Sequence, residues 1–286
     1  MPPPPIIPTR IGIVGLGLIG GSLALDLCAQ GHEIWGVSRR DTTCQRALQQ
    51  SIVHHASTNL ASLAPVDVVF ICTPISAILP TLSELAAHLT PTTVVTDVGS
   101  VKGSLVTQAT ELWPRFVGGH PMSGKAEAGL TAATPHLFQQ RPYVLTPLPS
   151  TPADAVEQVT ALIRQLGSTL YIANPDDHDQ AVALISHLPV MLGASLLHTC
   201  TTSPQQTLAQ QLASSGFKDT SRVGGGNPEL GRLMAQYNQP ALLAALAHYQ
   251  SQLTQLTQAI ADSDWNRVES YLTAAHQDRP AFVTGA

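Results

Sequence analysis

The chain has 286 residues, of which 44% are apolar and only 12% are charged. This length excludes a small stapled scaffold and favours one large α/β unit or two unequal domains, and so little charge excludes a disordered chain. Against 19 acidic residues stand 14 basic ones, which leaves a formal charge of -5 without a long basic run. Nucleic-acid binding is therefore disfavoured.

The cysteines and the N-terminus bear on cellular location. The 4 cysteines are far apart and form no C-x-x-C pair, which is typical of a reducing compartment. Residues 1–5 carry a proline run without the charged and apolar parts of a signal peptide. The apolar stretch 181–197 contains His187 and Pro189 and falls short of a membrane span. We therefore predict a cytoplasmic protein without a membrane segment, in which this stretch is a core or interface helix.

From residue 10 onward, short apolar runs alternate with longer helical patterns. This alternation predicts an α/β fold in which helices cover both faces of a doubly wound parallel sheet. Strands are predicted at residues 11–14, 33–37, 67–72, 93–97, 116–118, 143–146 and 169–172. Helices are predicted at 18–30, 41–50, 76–89, 101–112 and 152–166. Asp41, Ser100 and Thr151 are the predicted N-caps of the second, fourth and fifth of these helices.

After residue 172 the pattern is helical and shows no convincing strand. Asn174 and Asn227 each precede a proline, the arrangement of an N-cap before the first helical turn. Two further helices are predicted at 240–261 and 265–275. The chain is thus predicted to comprise a proline-rich lead-in at 1–9, a sheet domain at 10–173 and a helical domain at 174–286.

A G-x-G-x-x-G motif lies between the first predicted strand and the first predicted helix, the context that this motif requires. Gly15 permits the tight turn, Gly17 lets backbone N–H groups approach a pyrophosphate, and Gly20 allows close packing of helix on strand. A turn that serves packing alone is the alternative. We predict a dinucleotide-binding loop made of Gly15, Leu16, Gly17, Leu18, Ile19 and Gly20.

The second predicted strand ends in Ser38, Arg39 and Arg40, where an NAD enzyme would carry an acid for the ribose 2′-hydroxyl. A hydroxyl and two guanidinium groups suit a 2′-phosphate instead, because arginine grips phosphate through paired charge-assisted hydrogen bonds. NADP is therefore the predicted cofactor. In the alternative, both arginines are ordinary solvated residues and Asp41 binds the ribose.

Three predicted strands end in loops that are expected to meet, since ligands of such sheets bind beyond the C-terminal strand ends. The loops contain Cys72, Thr73 and Pro74, then residues 97–100, then residues 118–121. They are predicted to bring Ser100 and His120 to the nicotinamide. A neutral His120 could take a hydroxyl proton while hydride leaves the same carbon. Otherwise it is one partly exposed histidine among 11.

Residues of the helical half leave alternatives open. Because His187 lies in an apolar helical stretch, the sequence around it favours a hydrogen-bonded core histidine over a substrate contact. Arg222 either binds a carboxylate through its two-pronged guanidinium or forms an ordinary salt bridge with Asp219. The histidine spacing predicts no metal site, because adjacent His54 and His55 would point to opposite faces of an extended segment.

Six ordered blocks that span nearly the whole chain resemble the prephenate and arogenate dehydrogenases of tyrosine biosynthesis. They are IVGLGLIGGS (13–22), TP (73–74), DVGSVK (97–102), GHPM (119–122), SHLP (186–189) and FKDTSR (217–222). The strand end at Ser38 and Arg39 and the DRP tail at 278–280 further resemble the NADP-dependent arogenate branch of cyanobacteria.

The resemblance implies a Rossmann-like domain followed by an all-α dimerisation domain, and hence a homodimer. It implies oxidative decarboxylation, in which hydride leaves C4 of a cyclohexadienol and the resulting ketone loses its ring carboxylate as CO₂. By position, His120 would polarise or deprotonate the C4 hydroxyl, and Ser100 would orient His120 and the nicotinamide. His187 would line the substrate pocket, and Arg222 would bind the ring carboxylate on a loop steadied by Asp219.

The sequence departs from the family pattern after Gly124, where Lys125 replaces an expected small hydroxyl residue and Glu127 follows. An ammonium there would favour the side chain of prephenate, whereas Glu127 could receive the amine of arogenate. Lys125 could equally point into solvent. The leading hypothesis is an arogenate dehydrogenase that uses NADP. The alternatives are a prephenate dehydrogenase, a β-hydroxyacid or imine-type dehydrogenase, and a catalytically silent NADP-sensing module.

Overall fold

The structure is a computed structural model, and it describes residues 8–125 and 127–283. Most of the predicted lead-in, including the proline run, lies outside the described residues. The chain forms two compact units that divide between Asp179 and Gln180. The predicted domain boundary near Ala173 stays a prediction.

The first unit contains a single sheet of eight strands. Their bounds are β1 Arg10–Val14, β2 Glu33–Val37, β3 His55–Ser57, β4 Val68–Ile71, β5 Val94–Asp97, β6 Phe116–Pro121, β7 Pro142–Thr146 and β8 Thr169–Ile172. The order across the sheet is β3-β2-β1-β4-β5-β6-β7-β8, so the direction of winding reverses between β1 and β4. In doubly wound sheets, ligands bind at such a reversal, beyond the C-terminal ends of the strands.

Five longer helices accompany the sheet: α1 Leu18–Ala29, α2 Asp41–Gln49, α3 Ile75–Leu85, α4 Gly103–Leu112 and α5 Ala153–Gln165. Side chains from β1, β4, α1 and α5 meet in one buried core, in which Ile13, Phe70, Leu23 and Val159 are fully buried. The central strand β4 consists of unbroken, fully buried apolar residues because both of its faces are covered. The predicted doubly wound α/β fold is confirmed.

Two features of the sheet differ from the prediction. Strand β3 was not predicted, because it is only three residues long, partly exposed and without an apolar run; it is held by pairing with β2, where Trp35 lies opposite His55. Strand β7 runs antiparallel to β6, and this pairing extends β6 to Pro121, beyond its predicted end at residue 118. His120 therefore lies within a strand rather than in the loop after it.

The three predicted N-caps are wrong. The cap positions of α2, α4 and α5 are Arg40, Lys102 and Pro152, and none of them makes a side-chain capping hydrogen bond. Thr151 accepts the N–H of Leu148 instead, at 3.0 Å. The start of α4 is capped from a distance in the sequence, as described below, which no local pattern around Ser100 could indicate.

The second unit is helical throughout its described residues. Its helices are α6 Pro175–Val182, which begins before the division between the units, then α7 Leu188–Thr201, α8 Gln206–Leu212, α9 Ser215–Ser221, α10 Pro228–Tyr237, α11 Gln239–Ala261 and α12 Trp265–Val283. A π-helical turn at Ala183–His187 connects α6 to α7. Both predicted asparagine caps are confirmed: Asn174 accepts the N–H of Asp176 at 2.9 Å, and Asn227 accepts that of Glu229 at 2.9 Å.

A small apolar core joins the helices of the second unit. Ala183, Leu188, Leu242 and Ala245 are buried there, with Met191 packed against them. The segment Pro175–Thr201 is 27 residues long with a mean hydropathy of 1.6 over its most apolar part, so by length and composition it could cross a membrane. Of that apolar part, 28% is buried inside the protein. Core helices of soluble proteins have the same length and hydropathy, so this segment does not by itself define a membrane span.

Candidate functional site

The glycine-rich loop joins β1 to α1 with the geometry of a phosphate-binding turn. Gly15 has a φ of 100°, in the left-handed region, and a side chain there would stand 2.7 Å from the carbonyl oxygen of Cys72. Gly17 is the N-cap of α1, and a Cβ atom at this position would meet nothing within 4 Å. The N-terminus of α1 is thus open to a ligand, and its N–H groups favour an anion.

The loop after β4 borders this turn. The N–H of Cys72 donates to the carbonyl of Val14 at 2.7 Å, and Pro74 forms the N-cap of α3. Burial raises the pKa of the Cys72 thiol, and the charge of Asp97 adds to this effect, so Cys72 is a neutral thiol. The buried hydroxyl of Thr73 has no hydrogen-bond partner within the described residues. An orphaned hydroxyl beside an open helix N-terminus fits a bound nucleotide.

The residues after β2 present a hydroxyl and two cations. Ser38 accepts the N–H of Arg40 at 3.4 Å, and its own N–H donates to the carbonyl of Ser57. Arg39 and Arg40 are exposed, and neither forms an ion pair within the described part of the chain. Asp41, the alternative ribose ligand, accepts a hydrogen bond from Gln45 at 2.6 Å. Both guanidinium groups are therefore available for a phosphate.

A fully buried ion pair ties the end of β5 to β6. Lys102 and Asp97 have fully buried side chains in direct contact, and Lys102 Nζ also donates to the carbonyl oxygen of Gly119 at 2.8 Å. Asp97 Oδ1 accepts the N–H of Gly119 at 3.1 Å. Burial lowers the pKa of Lys102, and the adjacent Asp97 opposes this effect. The loop that carries partly exposed Ser100 is thereby fixed to the residue that precedes His120.

His120 belongs to a buried chain of three titratable side chains. Its Nδ1 lies 2.8 Å from Nε2 of His178, and Nδ1 of His178 lies 2.8 Å from Oδ1 of Asp179. The exposed fractions of His120, His178 and Asp179 are 8%, 3% and 7%. The two imidazole rings meet edge to face, with centroids 5.1 Å apart and an interplanar angle of 75°.

Asp179 also caps α4. Its Oδ1 accepts the N–H of Lys102 at 2.7 Å, and its Oδ2 accepts the N–H of Gly103 at 2.7 Å. The start of α6, which carries Asp179, is thus fastened to the loop between β5 and α4. A carboxylate is suited to this position, because all three of these contacts require an acceptor and the N-terminus of a helix favours negative charge.

The loop after β6 carries Lys125 and Glu127, the two residues that the sequence predicts to influence substrate choice. Lys125 and Glu127 are both exposed, and they flank residue 126, which lies outside the described chain. Neither forms an ion pair with a described residue.

In the second unit, His187 ends the π-helical turn and is fully buried. Its Nδ1 lies 3.1 Å from the amide nitrogen of buried Asn238, which donates to it. Arg222 begins a 3-10 turn, Arg222–Gly225, and is exposed. It forms no ion pair with Asp219 or with any other described residue, so the ordinary salt bridge considered from the sequence is not formed.

The sequence patterns predicted no role for His178, Asp179 or the Asp97–Lys102 pair. The available signal was a His-Asp dipeptide at the fourth and fifth positions of the helix that Pro175 begins, together with an acid at a strand end. Neither signal identifies a partner, because the contacts join residues 58 and 77 positions apart in the chain.

Comparison with known proteins places this geometry in a family. Residues 23–172 match the family model described as "Prephenate dehydrogenase, nucleotide-binding domain", and residues 174–274 match "Prephenate dehydrogenase, dimerization domain". A prephenate dehydrogenase of Bacillus subtilis is 30% identical over 275 residues, 93% of this chain and 74% of that protein. A cyclohexadienyl dehydrogenase of Zymomonas mobilis is 28% identical over 96% of each chain.

Solved structures agree with these matches. The arogenate dehydrogenase of Synechocystis has a TM-score of 0.88 and 48% identity, covering 96% of this chain and 100% of that one. The prephenate dehydrogenase of Aquifex aeolicus, solved in complex with hydroxyphenyl propionate and NAD+, has a TM-score of 0.91 and 26% identity, covering 97% and 99%.

The fold and the open glycine turn define a nucleotide-binding dehydrogenase with a Rossmann-like first domain. Both domain models match in order and together cover most of the chain. The chain belongs to the prephenate dehydrogenase family, so the resemblance to prephenate and arogenate dehydrogenases is confirmed. It is an oxidoreductase of aromatic amino acid biosynthesis that uses a nicotinamide cofactor.

Proposed function

We propose that the chain is an arogenate dehydrogenase that converts L-arogenate to L-tyrosine with NADP⁺ as the hydride acceptor. The observation that carries the choice of substrate is the 48% identity to the Synechocystis arogenate dehydrogenase across 96% of this chain. The identities to the prephenate dehydrogenases of Bacillus subtilis and Aquifex aeolicus are 30% and 26%.

The cofactor is assigned to the glycine-rich loop and to the ends of β2 and β4. The open helix start at Gly17 and the orphaned hydroxyl of Thr73 support a bound pyrophosphate. Ser38 and the side chains of Arg39 and Arg40, which form no ion pair with a described residue, support a 2′-phosphate and hence NADP. When bound, the nicotinamide supplies the acceptor for the hydride that leaves C4 of the substrate ring.

His120 is the proposed general base. Its imidazole takes the proton of the C4 hydroxyl, so that the O–H bond breaks as the carbonyl forms, and Ser100 orients His120. A buried base that is hydrogen bonded to its neighbours keeps its orientation without reorganisation during the reaction. The resulting ketone then loses the ring carboxylate as CO₂, and formation of the aromatic ring drives this step.

Four residues are assigned to substrate binding. Arg222 binds the ring carboxylate through its guanidinium, supported by its exposure and its lack of a described ion-pair partner. Asp219 steadies the Arg222 segment, and His187 lines the substrate pocket. Glu127 receives the amine of arogenate.

Prephenate dehydrogenase activity is the second candidate, and Lys125 favours it. An exposed ammonium in this loop would attract the side-chain carboxylate of prephenate. The β-hydroxyacid alternative has weaker support, because a solved 3-hydroxyisobutyrate dehydrogenase is only 13% identical and shows the fold alone.

The proposed assembly is a cytoplasmic homodimer. In this proposal residues 10–173 form the NADP-binding domain and residues 174–286 form the substrate and dimerisation domain. Large apolar side chains on α11 and α12 support self-association, since Leu243, Trp265 and Leu272 are 58%, 61% and 58% exposed. The matching family model describes this part of the chain as a dimerization domain.

The decisive experiment is a steady-state comparison of arogenate and prephenate, each with NAD⁺ and with NADP⁺. Arogenate with NADP⁺ is expected to give the highest kcat/KM, with tyrosine and CO₂ as products. A higher kcat/KM for prephenate would contradict the substrate assignment, and a higher value with NAD⁺ would contradict the cofactor assignment. Absence of turnover despite NADP⁺ binding would favour a sensing module.

The general base is tested by His120→Asn. We expect kcat to fall by about two to four orders of magnitude, because proton removal is lost, while the Kd for NADP⁺ stays nearly unchanged. His88→Asn, at an exposed histidine on the surface of the first unit, is the matched control and should keep wild-type kinetics. Full activity of His120→Asn would show that His120 is not the base.

A further inference from the structure

His120, His178 and Asp179 form a hydrogen-bonded chain within the first unit, and the reaction outlined above uses only the first of them. The two successive contacts are both 2.8 Å long, and all three residues are buried, with the His178 side chain 2% and the Asp179 side chain 11% exposed. Buried polar groups that are connected in this way hold one another in fixed orientations. The chain therefore determines which nitrogen of His120 carries a proton.

The contacts of Asp179 determine which ring nitrogens of His178 and His120 carry protons. The Asp179 carboxylate accepts two backbone N–H groups at the start of α4, and a carboxylate has no proton to donate. It therefore also acts as the acceptor in its contact with Nδ1 of His178. His178 must then donate from Nδ1. A neutral imidazole carries one N–H, which leaves Nε2 of His178 as an acceptor for the N–H at Nδ1 of His120. In neutral His120, Nε2 is consequently the basic nitrogen.

We infer that His178 and Asp179 are positioning residues, which hold His120 in the tautomer that is protonated at Nδ1 and so direct Nε2 to the substrate hydroxyl. This inference rests on the proposed function for the identity of the hydroxyl. The role resembles that of the aspartate in a Ser-His-Asp triad, which sets the tautomer of its histidine and stabilises the imidazolium that forms.

The same chain stabilises the product of proton transfer. The O–H bond of the substrate breaks and an Nε2–H bond forms on His120, which then carries a positive charge. His120 continues to donate from Nδ1 to His178, which in turn donates to the Asp179 carboxylate. Within the chain His120, His178 and Asp179 no other covalent bond forms or breaks; the C4–H bond of the substrate breaks as its hydride leaves for the nicotinamide. The nearby ammonium of Lys102 does not compete as a base, since Asp97 and the Gly119 carbonyl hold it.

The first test measures the tautomer in the cofactor-free wild-type enzyme. Imidazole nitrogen chemical shifts from a protein labelled with ¹⁵N in histidine distinguish protonated from unprotonated ring nitrogens, and the His120→Asn and His178→Phe variants assign the signals. We expect Nδ1 of both His120 and His178 to be protonated at a pH where both rings are neutral. A His120 ring protonated at Nε2 would overturn the inference, whether or not the enzyme is active.

The second test uses two substitutions of His178. His178→Phe keeps a planar ring but removes the acceptor, so we expect kcat to fall about 10²-fold with KM and the NADP⁺ Kd within twofold of wild type. His178→Gln places an amide oxygen near the former Nε2 and should recover part of this loss. Asp177→Asn, an exposed acid on the same helix, is the control and should retain wild-type kcat.

These outcomes separate the inference from the proposed function. Unchanged kcat in a folded His178→Phe enzyme would overturn the positioning role while leaving the general base intact. If both His178 variants fail to fold, the wild-type tautomer measurement still decides. The expected tautomer in an enzyme that oxidises neither arogenate nor prephenate would instead refute the proposed function.

Discussion

At the scale of single residues, the proposal of NADP as cofactor rests on the side chains after β2. Arg39 and Arg40 are exposed cations without described ion-pair partners, and the acid that would bind a 2′-hydroxyl is absent from the strand end. The adjacent Asp41 begins α2 and is engaged by Gln45. Positive charge therefore dominates where the ribose is expected.

Replacing both arginines, as Arg39→Ala with Arg40→Ala, should weaken NADP⁺ binding by about 10 to 100-fold, because charge-assisted hydrogen bonds to the 2′-phosphate are lost. The Kd for NAD⁺ should change less than threefold. Titration by intrinsic fluorescence measures both constants. Arg46→Ala, an exposed arginine in the last turn of α2, is the control. Equal weakening of both cofactors would contradict recognition of the phosphate.

At the scale of elements, two contacts are especially sensitive to substitution. Helix α7 packs directly on the 3-10 turn that carries Arg222, with Gly193 facing Gly224. A Cβ atom at Gly224 would overlap the backbone of Gly193 and Ala194, whereas one at neighbouring Gly225 would meet nothing within 4 Å. The position of the Arg222 turn thus depends on a glycine-to-glycine contact.

Gly224→Ala should lower the free energy of unfolding by about 1–3 kcal/mol, because backbone atoms must move apart to admit the methyl group. Gly225→Ala should change it by less than about 0.5 kcal/mol. Urea denaturation followed by circular dichroism measures both. Equal effects of the two variants would refute the close approach of α7 and the turn.

The second sensitive contact anchors the segment before β7 to α1. Asp26 on α1 is buried, and its Oδ1 accepts the N–H of His136 at 2.8 Å, while its Oδ2 has no hydrogen-bond partner among the described residues. Burial raises the pKa of Asp26, and the hydrogen bond from His136 opposes this only in part. The folded state consequently holds the proton more tightly than the unfolded state.

Asp26 should therefore destabilise the fold increasingly as the pH rises from about 4 through its raised pKa. Asp26→Asn removes this ionisation, so its stability relative to wild type should be greater at pH 7 than at pH 4. Urea unfolding at the two values provides the measurement.

Asp67→Asn is a control of opposite sign. Burial acts to raise the pKa of Asp67, but the hydrogen bonds from Arg10 outweigh this and lower it. Its stabilising contribution is present above the ordinary pKa of 3.8 and is lost as the pH falls through the lowered value. The effect is small, because this ion pair is largely exposed. If the stability of both variants relative to wild type changed with pH in the same direction, the opposite pKa shifts of Asp26 and Asp67 would be contradicted.

At the scale of the whole molecule, the second unit exposes many large apolar side chains. Its exposed large side chains include Leu208, Leu212, Leu230, Leu243, Leu253, Ile260, Trp265, Leu272 and Phe282. Its buried core is small by comparison. Association of two copies would cover such a surface and would add to the stability of each chain.

Light scattering after size exclusion should therefore give twice the chain mass of 30.2 kDa. Leu272→Glu, on α12, should shift the mass toward that of one chain, because a buried unpaired charge opposes association. Leu112→Glu, at an exposed leucine of the first unit, should leave the mass unchanged. A monomeric wild-type protein would refute the proposed dimer.

Local patterns were sufficient to predict most of the fold. The alternation of apolar runs and helical periods predicted seven of the strands, and β2 and β8 have their predicted bounds. Strand β3 was missed, since its three residues gain their conformation from pairing with β2 rather than from an apolar pattern. The helix α12 continues to Val283, eight residues past its predicted end, through Pro280.

The amino-acid sequence by itself determined the class of fold, the glycine-rich turn between β1 and α1, and the family, because each depends on residue types at fixed short spacings. Only the tertiary structure decided what surrounds His120. The cap of α4 by Asp179, the contact of His178 with His120 and the Lys102 pair with Asp97 all depend on how the strand ends and the start of α6 come together. Hydrogen bonds between residues far apart in the chain leave no periodic trace in the sequence, so they become visible only once the chain has folded.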